Sequence, residues 1–185
     1  SGIVSKPAAN FHGMWINFPA PPPMPRTVFP TPLGPCAVSW GDAGLTGFEL
    51  PGAPAREGDV SHPPPEIAAV IGRVRQHLHG KFQDFSDVRN DFTRVPEFAR
   101  EVYHATLAVK AGQTTSYGAL AAAMGQPPAV SRAVGSALGA NPWPLLVPCH
   151  RIVAADGKMT GFSGPGGIKT KLRLLALEGA ELFAE

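Results

Sequence analysis

Cysteine is scarce in this chain: Cys36 and Cys149 are the only two in 185 residues. Two thiols cannot build a disulfide framework, and no Cys/His group has the spacing of a zinc site, so no structural metal is expected. The six histidines (His12, His62, His77, His79, His104 and His150) are scattered rather than clustered. Charge is also in short supply. The formal net charge is +2, too small to announce a nucleic-acid partner. It is unevenly spread, with 7 Lys/Arg against 8 Asp/Glu in residues 1–92 and 9 against 6 in residues 93–185, so the second half is the better candidate for touching phosphates. No apolar run approaches the ~20 residues of a membrane-spanning helix, and no membrane association is expected. No cofactor-binding fingerprint is found, and none is expected to be needed. Ser1-Gly2, in place of an initiator Met, reads as a remnant of expression cloning. The default setting is a reducing cytoplasm, where a reactive thiol survives.

What the chain does have is proline and glycine, 21 of each. Residues 1–26 carry Phe11, Trp15 and Phe18 beside Pro19, Pro21-Pro22-Pro23 and Pro25, and read as an irregular arm. From Thr27 the pattern changes. Cys36, Val38 and Trp40 alternate with Ala37 and Ser39, Gly41 to Gly44 turns, and Leu45–Leu50 returns as a hairpin. Ile67, Val70, Ile71, Val74 and Leu78 recur at helical spacing, closed by Gly80. Val88 to Phe92 reads as a further short strand. Cys36 lies inside its strand pattern and is read as core. Residues 27–92 thus form a small α+β unit without a chemical constellation.

Residues 93–185 are organised differently. Phe98, Val102, Ala105 and Val109 form a helical stripe ended by Gly112. Ser116 can cap a short helix running to Met124, with Gly125 as its stop. After Pro127-Pro128, a third helix spans about Ala129 to Gly139. Two helices joined by a tight Gly/Pro turn read as a helix-turn-helix, although two packed core helices give the same pattern. Next come Asn141-Pro142-Trp143-Pro144, an apolar run Leu145-Leu146-Val147 that reads as a buried strand, and Pro148-Cys149-His150-Arg151. A glycine-rich loop surrounds Phe162 and Ser163. A last helix is expected to turn Ile168, Leu172, Leu175 and Ala176 inward and Lys169, Lys171 and Arg173 outward. Glu178 sits in its last turn, where the helix dipole disfavours a carboxylate, so it is either a solvated residue or one placed for a partner.

A lone Cys is most often a small buried hydrophobe. At Cys149 the neighbouring imidazole offers a way to the thiolate, the nucleophilic form of sulfur. The order of the pieces adds specificity: Gly112-Gln113-Thr114-Thr115-Ser116-Tyr117-Gly118, Arg132-Ala133-Val134-Gly135, Asn141-Pro142, Pro148-Cys149-His150-Arg151, Gly161-Phe162, Lys171 and Leu174 to Gly179. From about residue 93 to 180 this resembles the O6-alkylguanine-DNA alkyltransferases, or methylated-DNA–protein-cysteine S-methyltransferases. Thr31 to Leu50 resembles the less distinctive N-terminal domain of that family.

The resemblance implies an α+β fold: an N-terminal ribonuclease-H-like domain (27–92), then a winged-helix DNA-binding and catalytic domain (93–185). It implies a repair protein that binds double-stranded DNA through the minor groove as a monomer. The damaged nucleotide, O6-methylguanine or O4-methylthymine, is rotated out of the duplex and its alkyl group passes irreversibly to Cys149. His150 is then the base and Glu178 the carboxylate that orients it. Asn141 orders the reactive segment, and Tyr117 helps the departing base. Arg132 fills the vacated stack, with Ser131 beside it on the same helix, and Phe162 and Ser163 line the pocket. Taken singly, Arg132 could equally be a phosphate contact, Tyr117 a half-buried aromatic and Asn141 a turn residue. The product is a thioether that water does not cleave, so each molecule acts once. No cofactor is implied, and the zinc of some relatives needs cysteines that this chain lacks.

Three departures from the family pattern stand out. The turn from Gly125 to Arg132 and the segment from Phe162 to Glu178 are each slightly long. Trp143 is bulky where smaller apolar residues are usual. The last two leave the tolerated size of the alkyl group open. Other functions compatible with the residues are a non-catalytic lesion-binding module, a winged-helix regulator with a sensing cysteine, and a thiol hydrolase. The last would need an oxyanion hole that the sequence does not reveal.

Overall fold

A computed structural model describes residues 23–156 and 167–180. Within them the chain runs β1 (Arg26–Phe29), β2 (Cys36–Gly41), β3 (Gly44–Glu49), α1 (Pro65–Leu78), α2 (Glu97–Leu107), β4 (Thr115–Ser116), α3 (Tyr117–Ala123), α4 (Ser131–Gly139), β5 (Ile152–Val153) and α5 (Ile168–Leu177). It is a mixed α/β architecture with two small sheets.

Strands β1, β2 and β3 form an antiparallel sheet in that order, with Phe29 opposite Cys36 and Val38 opposite Phe48. The predicted hairpin is present. Strand β1 begins at Arg26, inside the stretch assigned to the arm. Arg26 is buried because its guanidinium is satisfied from several sides, by Glu49, Asp59 and the carbonyl of Pro54. A buried arginine that follows Pro23 and Pro25 carries no strand signal. The expected strand at 88–92 is not formed. Asn90 makes an isolated bridge with Leu45, and Phe92–Arg94 is a short 3-10 turn capped by the Asp91 side chain. Helix α1 starts on Pro65, whose missing N–H costs nothing in a first turn, and packs Ile67, Ile71, Val74 and Leu78 into the core.

Helices α2, α3 and α4 pack on one another. The buried face of α2 is Ala99, Val102, Tyr103 and Thr106, one position round from the expected stripe, and the helix ends at Leu107 rather than near Gly112. The Tyr103 hydroxyl explains the rotation: it donates to the carbonyl of Ala137 on α4 at 2.7 Å and turns this face inward. Ser116 caps α3 as expected, accepting from the Ala119 N–H at 3.0 Å. The long turn before Arg132 is taken up by a 3-10 turn, Pro128–Val130.

A single hydrophobic core runs through both halves, from Phe29 and Val38 to Leu146 and Leu174. Trp143 stitches them together. It is fully buried, its indole N–H donates to the Leu45 carbonyl at 2.8 Å, and its ring meets Phe92 and Tyr103 edge-on. The bulk that departs from the family pattern is therefore absorbed between the halves.

Candidate active site

The reactive tetrapeptide does not end a strand. Leu145, Leu146 and Val147 are buried, but Leu145 has φ +75°, a left-handed conformation that a branched apolar residue adopts at a cost of about 1–3 kcal/mol. Pro148, at φ −79° and ψ 63°, centres an inverse γ-turn closed by the Cys149 N–H on the Val147 carbonyl at 2.7 Å. Proline suits this position because its ring already fixes φ. Cys149–Arg151 is then a 3-10 turn, and β5 follows at once. β5 pairs in parallel with β4, Thr115 beside Ile152, so the reactive turn is anchored beside the strand that leads into Tyr117. Asn141 ties the approach together: its amide donates to the Val147 carbonyl and its carbonyl accepts from the Trp143 N–H, each at 2.9 Å.

Around Glu178 lies a buried charged network. His150 is fully buried, and its Nε2–H donates to Glu178 Oε1. Arg151 Nε donates to Glu178 Oε2 at 2.8 Å, and Arg151 Nη1 donates to the Val109 carbonyl at 2.8 Å. Glu178 is only 3% exposed, so the solvated alternative is excluded and the carboxylate has its partners. Burial pushes the Glu178 carboxyl up, but the hydrogen bonds from His150 and Arg151, with the His77 ring close by, outweigh it and hold it well below the usual carboxylate range. Burial lowers the pKa of His150 despite the opposing pull of Glu178, so the imidazole rests neutral. With the proton on Nε2, the lone pair is on Nδ1, which is buried and has no protein partner among the described residues.

Burial likewise raises the pKa of Cys149, against the Asn141 amide, the positive Lys171 and the backbone N–H groups of Cys149 and His150, which favour the thiolate. Cys149 therefore rests as a thiol and His150 as a neutral imidazole. Cys36, in contrast, is pushed up to about 12 by burial in β2 and belongs to the core as expected.

The remaining predicted residues fall into two groups. Tyr117 is half-buried at the start of α3 and faces Gly135 of α4. Ser131 opens α4, bonds the Pro128 carbonyl at 2.7 Å and faces Gly118. Arg132 follows it, exposed, and forms no ion pair among the described residues. Phe162 and Ser163 lie outside the described residues.

Two network members carry no role that the sequence reveals, and one lies on the face opposite to that expected. Arg151 belongs to the motif without a function attached to it. His77 comes from α1, 101 residues before Glu178 in the chain, where no local pattern marks it. Lys171, expected outward, is 1% exposed and donates from Nζ to the Ile152 carbonyl at 2.7 Å. A signal for it exists, since 171, 174, 175 and 178 recur at helical spacing on the face that carries Glu178. Ala176 is exposed and Ile168 is 43% exposed, the reverse of the expected arrangement.

Residues 97–180 match the family described as 6-O-methylguanine DNA methyltransferase, DNA binding domain. A methylated-DNA–protein-cysteine methyltransferase of Methanothermobacter thermautotrophicus is 36% identical over 151 residues, spanning 82% of this chain and 83% of that protein. A DNA base-flipping protein of Thermus thermophilus is 38% identical over 154 residues, 82% of this chain and 97% of its own length. Among solved structures, Mycobacterium tuberculosis OGT in complex with DNA superposes with a TM-score of 0.71 at 34% identity, covering 83% of this chain and 92% of that one. The fold, the cysteine–histidine turn and this similarity along most of both chains agree, and the chain belongs to the methylated-DNA–protein-cysteine methyltransferase family.

Proposed function

We propose that the protein repairs O6-alkylguanine in duplex DNA by taking the alkyl group onto its own Cys149, irreversibly and once per molecule. One observation carries the reading. A neutral His150, held by Glu178 through Nε2, keeps a lone pair on Nδ1, and the residue before it in the chain is a buried thiol. This is the arrangement that a thiol needs if it is to become a thiolate only on demand.

His150 Nδ1 takes the Cys149 proton, directly or through a bridging water, and the imidazolium is stabilised by Glu178. The thiolate attacks the alkyl carbon. The S–C bond forms as the C–O6 bond breaks, and the electron pair leaves with guanine. The departing base regains one proton, so that thiol and O6-alkylguanine become thioether and guanine with no net proton released. Tyr117 supplies a hydrogen bond or proton to the departing base. Asn141 fixes the Cys149 segment, and Lys171 offsets the charge on sulfur. This reading gives Arg132, exposed near the start of α4, the role of occupying the stack from which the nucleotide is rotated, and Ser131 beside it that of a backbone contact. Phe162 and Ser163 complete the pocket in this reading.

At the level of fold, the reading assigns residues 27–92 to a ribonuclease-H-like unit, supported by the antiparallel β1–β3 sheet with α1 packed into the common core. It assigns residues 93–185 to a winged-helix unit, supported by the α3–turn–α4 pair and the small β4–β5 sheet. A relative named as a base-flipping protein shares the similarity, but here the thiol and the His150–Glu178–Arg151 network favour transfer over binding alone.

Intact-mass and peptide mass spectrometry after incubation with a duplex carrying one O6-methylguanine tests this. The expected result is one added methylene per protein, mapped to Cys149 and absent in Cys149→Ser, with the variant still binding the lesion. An unmodified Cys149 with the lesion left in the DNA would overturn it.

A further inference from the structure

His77 sits in the last turn of α1 and is fully buried. Its Nδ1 accepts the Gln83 backbone N–H at 3.0 Å, and its ring lies 5.4 Å from both Phe82 and Phe85. An Nδ1 that accepts from a backbone N–H carries no proton, so the proton of the neutral ring is on Nε2. That Nε2 is buried, has no other partner among the described residues, and lies 3.5 Å from Glu178 Oε1. Oε1 is the oxygen that accepts from His150.

We propose that His77 is a positioning residue for alkyl transfer: as the Nε2–H tautomer it donates to Glu178 and, through that carboxylate, holds the His150 base in register with Cys149. Two features argue for this role over simple packing. A buried imidazole N–H with no other acceptor has to be directed at something, and the carboxylate is what it faces. The fixed Gln83 bond also leaves only one tautomer, so the ring is built as a donor toward Glu178 rather than as a base. A 3.5 Å separation in the free protein is the kind that shortens when the reactive complex forms. The groups around the ring are Gln83, Phe82 and Phe85 on the following loop, Glu178 at the end of α5, and His150 and Arg151 on the reactive turn. His77 thereby makes the N-terminal half part of the reactive machinery, which gives that half a chemical as well as a structural task.

The inference rests on the alkyl-transfer reading, and the wild-type protein separates the two: if it does not methylate Cys149, that reading fails, whatever His77 does. Given transfer by wild type, single-turnover rates on the O6-methylguanine duplex are compared for His77→Phe, which keeps a ring but loses the donor, and His77→Gln, which keeps a donor near the Nε2 position. The expected result is a fall of roughly tenfold or more in the rate for His77→Phe, with lesion-DNA affinity within twofold of wild type, and recovery of at least half the rate in His77→Gln. A folded His77→Phe that transfers at the wild-type rate would overturn the proposal. So would losses of rate and affinity in parallel, or a glutamine variant no better than phenylalanine. If His77→Phe does not fold, nitrogen NMR of the wild-type histidines decides the matter. Nδ1 of His77 must be unprotonated and Nε2 protonated at the pH of the assay, and the opposite tautomer or an imidazolium overturns it.

Discussion

Glu178 is the carboxylate at the centre of the buried charged network. It accepts from His150 on one oxygen and from Arg151 on the other, with almost no exposure to water. A buried carboxylate is stable only because these donors replace its hydration, and the dependence is mutual. Glu178→Gln keeps the volume and removes the charge. Arg151 is then left as an uncompensated buried cation, and the imidazolium formed during transfer loses its counter-charge. The expected outcome is a single-turnover rate lower by roughly a hundredfold and a stability lower by about 3 kcal/mol, read by urea unfolding. A variant that transfers within threefold of wild type would show that Glu178 does not support the base. The same residue shows how a misplaced carboxylate can be informative. At a helix C-terminus it opposes the dipole, and the partners that justify its position lie 27 and 28 residues earlier in the chain.

Among the described glycines, Gly44 in the β2–β3 hairpin leaves a side chain the least room. Gly44 has φ +130°, and a Cβ there would lie 2.5 Å from the carbonyl oxygen of Arg89. That carbonyl accepts the Leu45 N–H at 2.8 Å, and the Leu45 carbonyl in turn accepts the Trp143 indole. Gly44→Ala is therefore expected to destabilise by about 2 kcal/mol or more, through both the strained backbone and the clash. Gly72, inside α1, is the contrast: the methyl group of an alanine there would meet nothing within 4 Å. Gly72→Ala is expected to stabilise by about 0.5–1 kcal/mol, the helix-propensity difference. Equal urea midpoints for the two variants would refute the contrast. Elements with a local signal are legible in the sequence: the hairpin, α1, the Ser116 cap and the two short helices around Gly125. The reactive turn is not. Leu145-Leu146-Val147 has the composition of a buried strand, but a left-handed Leu145 and the γ-turn at Pro148 are imposed by packing and by the Asn141 hydrogen bonds. Likewise Cys149, His150, Asn141 and Glu178 are legible through the motif order, whereas His77 and the inward Lys171 depend on contacts across the chain.

For the whole molecule, the buried ionisable groups set a pH window for stability. His150 is lowered from 6.5 in the fold. Below that value the unfolded chain binds a proton that the folded protein refuses, so its contribution is present above pH 6.5 and is lost as pH falls toward the folded value. Glu178, lowered from 4.5, adds a second loss further into acid. Cys149 and Cys36 are both raised from 9.0. Their contribution is complete below pH 9 and is lost as pH rises, because the unfolded thiols ionise first. Lys171, lowered from 10.5 by burial, opposes this alkaline limb. Two thiols outweigh it, joined above pH 10 by Tyr103, which burial pushes up to about 12. Each pH unit spent between a group's unfolded and folded values costs about 1.4 kcal/mol. The urea midpoint of the reduced protein should thus be flat between about pH 6.5 and 9 and fall on both sides. The two limbs have separate origins and can be separated. Cys36→Val combined with Cys149→Ser should remove the loss between about pH 9 and 10, where Tyr103 does not yet contribute, and leave the acid limb in place. If the loss between about pH 9 and 10 survives that double substitution, the thiols are not its source, and if the acid limb begins only below about pH 5, His150 is not buried neutral in the folded protein.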